Sequence, residues 1–107
     1  MVDMALIDQY SGICQFLKLG AACTYIKRGS WVECIKSTSL PMGVFQEVDV
    51  EAITKKLYDG DFVIMISDGI VDALKCEDKE EAMGRLIMEI NTSSPREMAL
   101  HILSRTL

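Results

Sequence analysis

The chain has no close pair of cysteines and only one histidine among its 107 residues. No Cys-x-x-Cys pair occurs, and His101 lies far along the sequence from every cysteine. This spacing argues against a zinc site and favours reduced cysteines that serve as small core residues in a cytoplasmic protein. We expect His101 to flank a helix without acting as a ligand or base. The four cysteines are Cys14, Cys23, Cys34 and Cys76.

Positive charge is also scarce. The sequence contains 11 Lys and Arg residues and 16 Asp and Glu residues, which gives a net charge of -5. Nucleic-acid binding needs a basic footprint, so the charge balance excludes that class of partner. Lys27, Arg28 and Lys36 form one thin basic cluster, which we interpret as a solvated strand edge.

Long hydrophobic runs and a basic N-terminal segment are both missing. The apolar run at 62–66 is closed by charges on both sides and is far too short to span a membrane. The N-terminus predicts no signal peptide, so we expect a cytoplasmic chain without a membrane segment. Half of the residues are nevertheless hydrophobic, and the mean hydropathy is +0.21. This excess predicts exposed apolar surface and a homo-oligomer.

The first half of the sequence predicts a β-meander. Residues 4–8 and 13–19 are apolar runs joined by a turn-rich tetrapeptide, and residues 23–27 and 31–36 flank an Arg-Gly-Ser turn. Residues 46–56 fit either a strand or a helix. We favour a strand, because the Asp-Gly pair that follows is a strong hairpin signal that would pair it with residues 62–67.

The second half predicts two helices. Asp78 is a good N-cap with a Glu three residues later, and an apolar pattern at helical spacing follows. Ser94 is a still better cap, because Pro95 follows at the first helical position and Glu97 at the third. The predicted fold class is therefore α+β, with antiparallel strands in hairpins followed by two C-terminal helices.

The segment 59–70 carries the most chemical information. Its sequence is an Asp-Gly-Asp turn, five apolar residues, and then Ser67, Asp68 and Gly69. The apolar run predicts a buried strand. A strand that delivers a carboxylate and then a glycine to its end is a common way to build a divalent-metal site. A plain turn at this position is the alternative.

Taken together, several segments resemble one family. Gly-Asp, five apolar residues and Ser-Asp-Gly-Ile at 60–70 resemble the second metal-binding motif of the metal-dependent serine/threonine phosphatases, the PP2C or PPM family. Leu-Pro-Met-Gly-Val at 40–44, Gln-Glu-Val-Asp at 46–49 and Tyr-Ile-Lys-Arg-Gly at 25–29 are similar to its bacterial branch, typified by stage II sporulation protein E. The resemblance covers most of the chain.

The resemblance implies a fold and a chemistry. Family members hold two manganese or magnesium ions within an α/β/β/α sandwich, and a metal-activated water attacks the phosphorus of phosphoserine or phosphothreonine. Asp68 occupies the position of the family's aspartate ligand, and Gly69 would leave space beside it. We expect Ser67 to be packed or hydrogen-bonded without a chemical role. Asp61 and Asp72 are supporting candidates, although a solvated turn or helix-start carboxylate is the stronger interpretation of both.

The family also uses an early Asp-Gly motif and a final aspartate, and neither is present here. Asp3 and Asp8 do not precede a glycine, and no aspartate follows the last predicted helix. Residues 1–107 are therefore expected to be the central and later part of a phosphatase domain. We expect weak or absent metal binding and no activity from the chain alone.

For the parent protein, the resemblance implies a protein serine phosphatase. Its substrate would be a phosphorylated regulatory protein of the anti-sigma factor antagonist type. One alternative is a non-catalytic, phosphatase-like module for protein binding or dimerisation. Another is a generic α+β domain in which Asp68 and Gly69 form a turn.

Overall fold

A computed structural model of the chain describes residues 2–36 and 52–107. The predicted segments at 40–44 and 46–49 lie outside these residues. The described part contains six strands and three helices, and the α+β prediction is confirmed. In chain order the elements are β1 (Val2–Ile7), β2 (Ile13–Leu19), β3 (Thr24–Arg28), β4 (Trp31–Ile35), β5 (Ile53–Lys56), β6 (Phe62–Met65), α1 (Asp68–Asp72), α2 (Lys79–Glu89) and α3 (Pro95–Thr106).

The chain divides into two compact units. The first comprises Met1–Ala21 and Lys36–Asp59, and its three-stranded antiparallel sheet has the order β1-β2-β5. The turn between β1 and β2 is organised by Asp8, whose Oδ1 accepts hydrogen bonds from the backbone N–H of Tyr10 at 2.9 Å and of Ser11 at 3.4 Å. Gly12 then takes a positive φ of 75° and donates its N–H to the Asp8 carbonyl. The predicted first hairpin is confirmed.

The second unit comprises Ala22–Ile35 and Gly60–Leu107, and its antiparallel sheet has the order β4-β3-β6. The predicted hairpin of β3 with β4 is confirmed. The predicted hairpin of β5 with β6 is wrong, because β5 pairs with β2 and β6 pairs with β3. The Asp-Gly pair at 59–60 therefore separates two sheets. A two-residue hairpin signal reports only local turn preference, and longer-range strand pairing overrides it here.

The basic cluster is not a solvated strand edge. Two of its residues, Lys27 and Arg28, belong to β3 in the middle of the second sheet, and Lys27 is only 4% exposed. The Lys27 ammonium reaches the C-terminal end of α2, where it donates hydrogen bonds to the carbonyls of Ile87, Met88 and Ile90. The last carbonyls of a helix have no partner within the helix, so a buried ammonium satisfies them there.

Both predicted helix caps are confirmed. The Asp78 side chain accepts a hydrogen bond from the Glu81 backbone N–H at 3.1 Å, and Ser94 Oγ accepts one from the Glu97 N–H at 3.3 Å. None of the helices within the described ranges is long and apolar enough to cross a membrane.

The second unit buries an apolar cluster between its sheet and its helices. The cluster consists of Cys23, Tyr25, Ile64, Ile66, Met83, Ile87, Ile90, Met98 and Ile102.

Candidate functional site

The strand that leads to the predicted ligand is buried on one face. Ile64 and Ile66 point into the apolar cluster, whereas Met65 between them is 44% exposed. Among the described strands, β6 pairs with β3 alone, so it forms an edge of its sheet. The predicted burial is therefore found at alternate residues and not along the whole strand. The strand β6 ends at Met65.

A partly buried ion pair lies at the start of β6. Asp61 Oδ1 accepts a hydrogen bond from Arg28 Nε at 2.9 Å, and Asp61 Oδ2 accepts one from Arg28 Nη2 at 2.6 Å. The Asp61 side chain is only 3% exposed, so the expectation of a solvated turn carboxylate is wrong. Arg28 also lies over the Trp31 ring, 5.4 Å from its centroid. A bidentate guanidinium compensates the burial of the carboxylate and restrains the turn that leads into β6.

Asp68 is the first residue of helix α1 and is exposed. Ser67 is the N-cap residue in an extended conformation, and its carbonyl accepts hydrogen bonds from the N–H groups of Ile70 at 3.1 Å and Val71 at 3.3 Å. The Ser67 side chain is exposed and makes no cap hydrogen bond, so the expected packing of Ser67 is not found. A carboxylate in the first turn of a helix is electrostatically favourable. The fold therefore presents the Asp68 oxygens to solvent.

Gly69 and Asp72 lie beside this carboxylate. A Cβ placed on Gly69 meets no described atom within 4 Å, which agrees with the expected free space. Asp72 follows Asp68 by four residues, so both carboxylates lie on the same face of α1. The Asp72 side chain is 73% exposed, and its Oδ1 lies 3.6 Å from Lys79 Nζ. An exposed pair of this kind contributes little to stability. The roles of Asp68, Gly69 and Asp72 toward a metal stay predictions.

The donor set around Asp68 fits one ligand of a hard divalent cation. Carboxylate oxygens are the ligands that Mg²⁺ and Mn²⁺ prefer. Within residues 2–36 and 52–107, however, Asp68 belongs to no group of three or more metal-binding side chains. Asp68 is thus a single candidate ligand among the described residues, and its part in a metal centre stays a prediction.

The structure does bring three such side chains together elsewhere. Ligand atoms of Cys23, Cys34 and Glu80 all lie within 4.8 Å of one another. Spacing along the sequence does not predict this cluster, because its two cysteines are not close neighbours and Glu80 lies far from both. The predicted hairpin of β3 with β4 was the available signal, since it places both cysteines on the same face of the sheet.

An apolar groove adjoins the Ser67 end of the candidate site. Its volume is about 380 Å³. It lies between the end of β6 and α3, and its only polar lining residue among those described is Ser67. The described residues that line it are Ile64, Met65, Ile66, Ser67, Ile70, Ala99, Ile102 and Leu103.

Comparison with known proteins gives one family over the whole sequence. The model of the family "Stage II sporulation protein E (SpoIIE)" matches residues 1–107. The chain is 37% identical over 99 residues to stage II sporulation protein E of Bacillus subtilis (strain 168), which covers 92% of this chain and 12% of that protein. The protein of the same name from Priestia megaterium is also 37% identical over 99 residues, and the match covers 17% of its length.

Solved structures agree with the sequence relationship. The chain superimposes with a TM-score of 0.86 and 35% identity on a structure of the PP2C phosphatase domain and a fragment of the regulatory domain of the cell fate determinant SpoIIE from Bacillus subtilis, covering 97% of this chain and 32% of that one. For the SpoIIE phosphatase domain from Mn-presoaked material, the TM-score is 0.82, and the match covers 98% of this chain and 47% of that one. The chain therefore belongs to the stage II sporulation protein E family, and it corresponds to part of that family's PP2C phosphatase domain.

Proposed function

We propose that this chain forms part of a metal-dependent protein serine/threonine phosphatase. The observation that carries the proposal is the combined match in sequence and fold to SpoIIE phosphatase domains, with TM-scores of 0.86 and 0.82. Asp68 supports it, because this carboxylate is exposed at the start of α1 directly after the strand of the metal motif. The substrate would be phosphoserine on a regulatory protein of the anti-sigma factor antagonist type.

Asp68 would hold one of two manganese or magnesium ions in the complete domain. Such ions, when bound, supply an activated water and stabilise the charge that develops on the phosphate oxygens. The contribution of this chain is to position the ligand. The Arg28–Asp61 ion pair restrains the start of β6, Ile66 is buried at its end, and the first turn of α1 holds Asp68 in place.

We further propose that the chain alone binds these ions weakly and is inactive. A single carboxylate with water ligands supplies the minimum for Mg²⁺, and we expect a Kd no tighter than about 1 mM, the weak end of natural calcium sites. The test is hydrolysis of p-nitrophenyl phosphate with added manganese. Robust hydrolysis by the 107-residue chain, abolished by Asp68→Asn, would contradict the proposed incompleteness of the site.

The same substitution in the longer parent phosphatase tests the role of Asp68 directly. Loss of a direct metal ligand should lower manganese-dependent activity at least about 100-fold, because even changes to outer-shell partners of metal ligands cost 10–100-fold. Asp72→Asn is the matched control on the same helix face, and we expect a smaller effect. Full activity of the Asp68→Asn protein would refute the assignment of Asp68 as a ligand.

A non-catalytic module for protein binding or dimerisation is the second candidate function. It is favoured because, among the described residues, Asp68 belongs to no group of three or more metal-binding side chains. Two large apolar side chains that line the groove also remain exposed, Met65 at 44% and Leu103 at 39%. An inactive parent protein that still binds its partner would support this function.

The exposed apolar residues also support self-association of the chain, with a second copy as the occupant of this surface. We expect a dimer or larger species in light scattering, and Leu103→Glu should shift it toward the monomer. Lys75→Glu, on an exposed residue away from the groove, is the control for added negative charge. A monomer at high concentration would count against the proposal.

A further inference from the structure

The cluster of Cys23, Cys34 and Glu80 lies where the β3–β4 hairpin meets helix α2. Tyr25 and Cys34 are directly opposite each other in the antiparallel register. Cys23 precedes Tyr25 by two residues, so Cys23, Tyr25 and Cys34 share one face of the sheet. That face packs on α2, because Cys23 and Tyr25 belong to the same apolar cluster as Met83.

The third ligand is positioned by the first turn of α2. The Tyr25 hydroxyl donates a hydrogen bond to the Glu80 backbone carbonyl at 2.8 Å. This bond ties the start of the helix to β3. The contact that joins β3 to α2 therefore also positions the Glu80 side chain. One of its carboxylate oxygens lies within 4.8 Å of the Sγ atoms of both cysteines.

The ligand types select a particular class of cation. Two thiolates and a carboxylate suit Zn²⁺, whereas Mg²⁺ and Mn²⁺ prefer oxygen ligands alone. In tetrahedral zinc sites the metal–sulfur distance is about 2.3 Å and the metal–oxygen distance about 2.0–2.2 Å, which places ligand atoms roughly 3.5–3.8 Å apart. A contraction of about 1 Å from the outer limit of 4.8 Å would bring the three groups to this separation. Rotation of side chains on fixed strands can supply such a movement.

A disulfide is the competing use of the two cysteines, and the register argues against it. Cys23 immediately precedes β3, and because the residue opposite Cys34 is Tyr25, the register extended by one residue puts Cys23 diagonal to Cys34. Diagonal neighbours are separated by about 7–8 Å, beyond the reach of a disulfide without backbone movement. Both cysteines are free thiols in this structure.

We propose that Cys23, Cys34 and Glu80 form a binding site for one Zn²⁺ ion, with water at the fourth position. The site joins the β3–β4 hairpin to helix α2 and is separate from the carboxylate at Asp68. Cys23 is 5% exposed, Cys34 is partly buried and Glu80 is exposed, so the site is open to solvent on the glutamate side. Without a metal, burial and the hydrogen bonds with Cys34 and Glu80 raise the pKa of the Cys23 thiol. A bound cation reverses this effect, because a coordinating thiol loses its proton.

The test is a titration of the reduced chain with Zn²⁺ in competition with a chromophoric chelator, repeated with Co²⁺ to read the coordination geometry. We expect one ion per chain, cobalt absorption typical of tetrahedral thiolate ligation, and a melting temperature that rises with zinc concentration. Cys34→Ser should weaken zinc binding at least about 100-fold, and Glu80→Gln about 10-fold or more. These two positions are partly or fully exposed, so both variants are expected to fold, which far-UV circular dichroism checks.

Cys76→Ser is the matched control, because Cys76 is an exposed cysteine outside the cluster. It should leave zinc affinity, cobalt absorption and thermal stabilisation unchanged. Three results would overturn the proposal. The first is no zinc binding by a chain with native circular dichroism, and the second is undiminished affinity in Cys34→Ser. The third is loss of binding in Cys76→Ser.

Discussion

Replacement of Lys27 by methionine tests whether one buried ammonium holds helix α2 on the sheet. The Lys27 Nζ donates hydrogen bonds to the carbonyls of Ile87 at 2.6 Å and Met88 at 3.3 Å, and also to that of Ile90. Methionine has a similar length and an apolar end, so it fills the space without supplying a donor. The substitution therefore removes the cap of the helix while it keeps most of the packing.

The expected loss of stability follows from the groups left behind. The bonds to Ile87 and Ile90 are buried. The Ile87 carbonyl keeps a second donor, the Ile90 backbone N–H at 3.2 Å. The larger loss therefore falls on the Ile90 carbonyl, where a missing donor costs about 1–3 kcal/mol. The substitution also relieves the desolvation of a charged group, an effect that lowers the pKa of Lys27. Because this relief opposes the loss, we expect a net destabilisation of about 1–3 kcal/mol.

Urea unfolding followed by the fluorescence of Trp31 measures this loss, because Trp31 is the only tryptophan and lies at the start of β4. With a urea m-value of about 2 kcal/mol/M, a loss of about 1–3 kcal/mol should lower the midpoint by about 0.5–1.5 M with little change in slope. Lys75→Met is the control, since Lys75 is exposed, and it should change stability by less than about 0.5 kcal/mol. Equal stability of the two variants would refute the capping role of Lys27.

Three further predictions concern the turns and the ion pair. Gly12→Ala should destabilise the chain by at least about 1–2 kcal/mol, because the position has a φ of 75° and a Cβ there would lie 2.7 Å from the Leu57 carbonyl oxygen. Gly20→Ala is the control, because Gly20 has a φ of 64° and open space around it. This substitution introduces backbone strain without a steric clash. Equal losses of unfolding free energy for the two variants in urea would therefore contradict the steric contribution at Gly12. Asp61→Asn should lower the free energy of unfolding by about 1–3 kcal/mol. This is less than the loss for a fully buried pair, because the Arg28 side chain is 40% exposed. Thermal unfolding of the variant checks this, and an unchanged melting temperature would refute it. Backbone N–H donors hold the pKa of Asp8 below its usual value of 3.8. The carboxylate therefore contributes stability that is fully present above the pKa of the unfolded chain and is lost as pH falls through the lower folded pKa. NMR titration should find this lower pKa, and the stability difference between the native chain and Asp8→Asn should shrink below about pH 4.

The corrections to the sequence-based predictions share one physical cause. Lys27 and Arg28 look like surface charges because no acidic residue occurs within four positions of either in the sequence. Their partners are the end of α2, 60 residues and more away, and Asp61, 33 residues away. The pairing of β6 with β3 likewise joins distant segments. Local propensity cannot report such contacts, because they depend on how the strands are ordered in space.

For the candidate site too, some features were predicted from the sequence and others depended on the fold. The motif that ends in Ser67, Asp68 and Gly69 was recognisable from residue types and spacing, and the family assignment agrees with that interpretation. That Asp68 begins a helix and is exposed was decided by the fold. The grouping of Cys23 and Cys34 with Glu80 depends on strand register and on the docking of α2, so sequence spacing alone argued against any such cluster.

Local sequence signals predicted most of the strands and helices of this protein. Turn residues, apolar periodicity and the caps at Asp78 and Ser94 set the strands and helices, because these signals act over a few residues. Only the tertiary structure decided which strands pair, which charges are buried and which ligands converge. Those outcomes depend on contacts between segments far apart in the chain, where the burial of apolar surface and the compensation of buried charge select one arrangement.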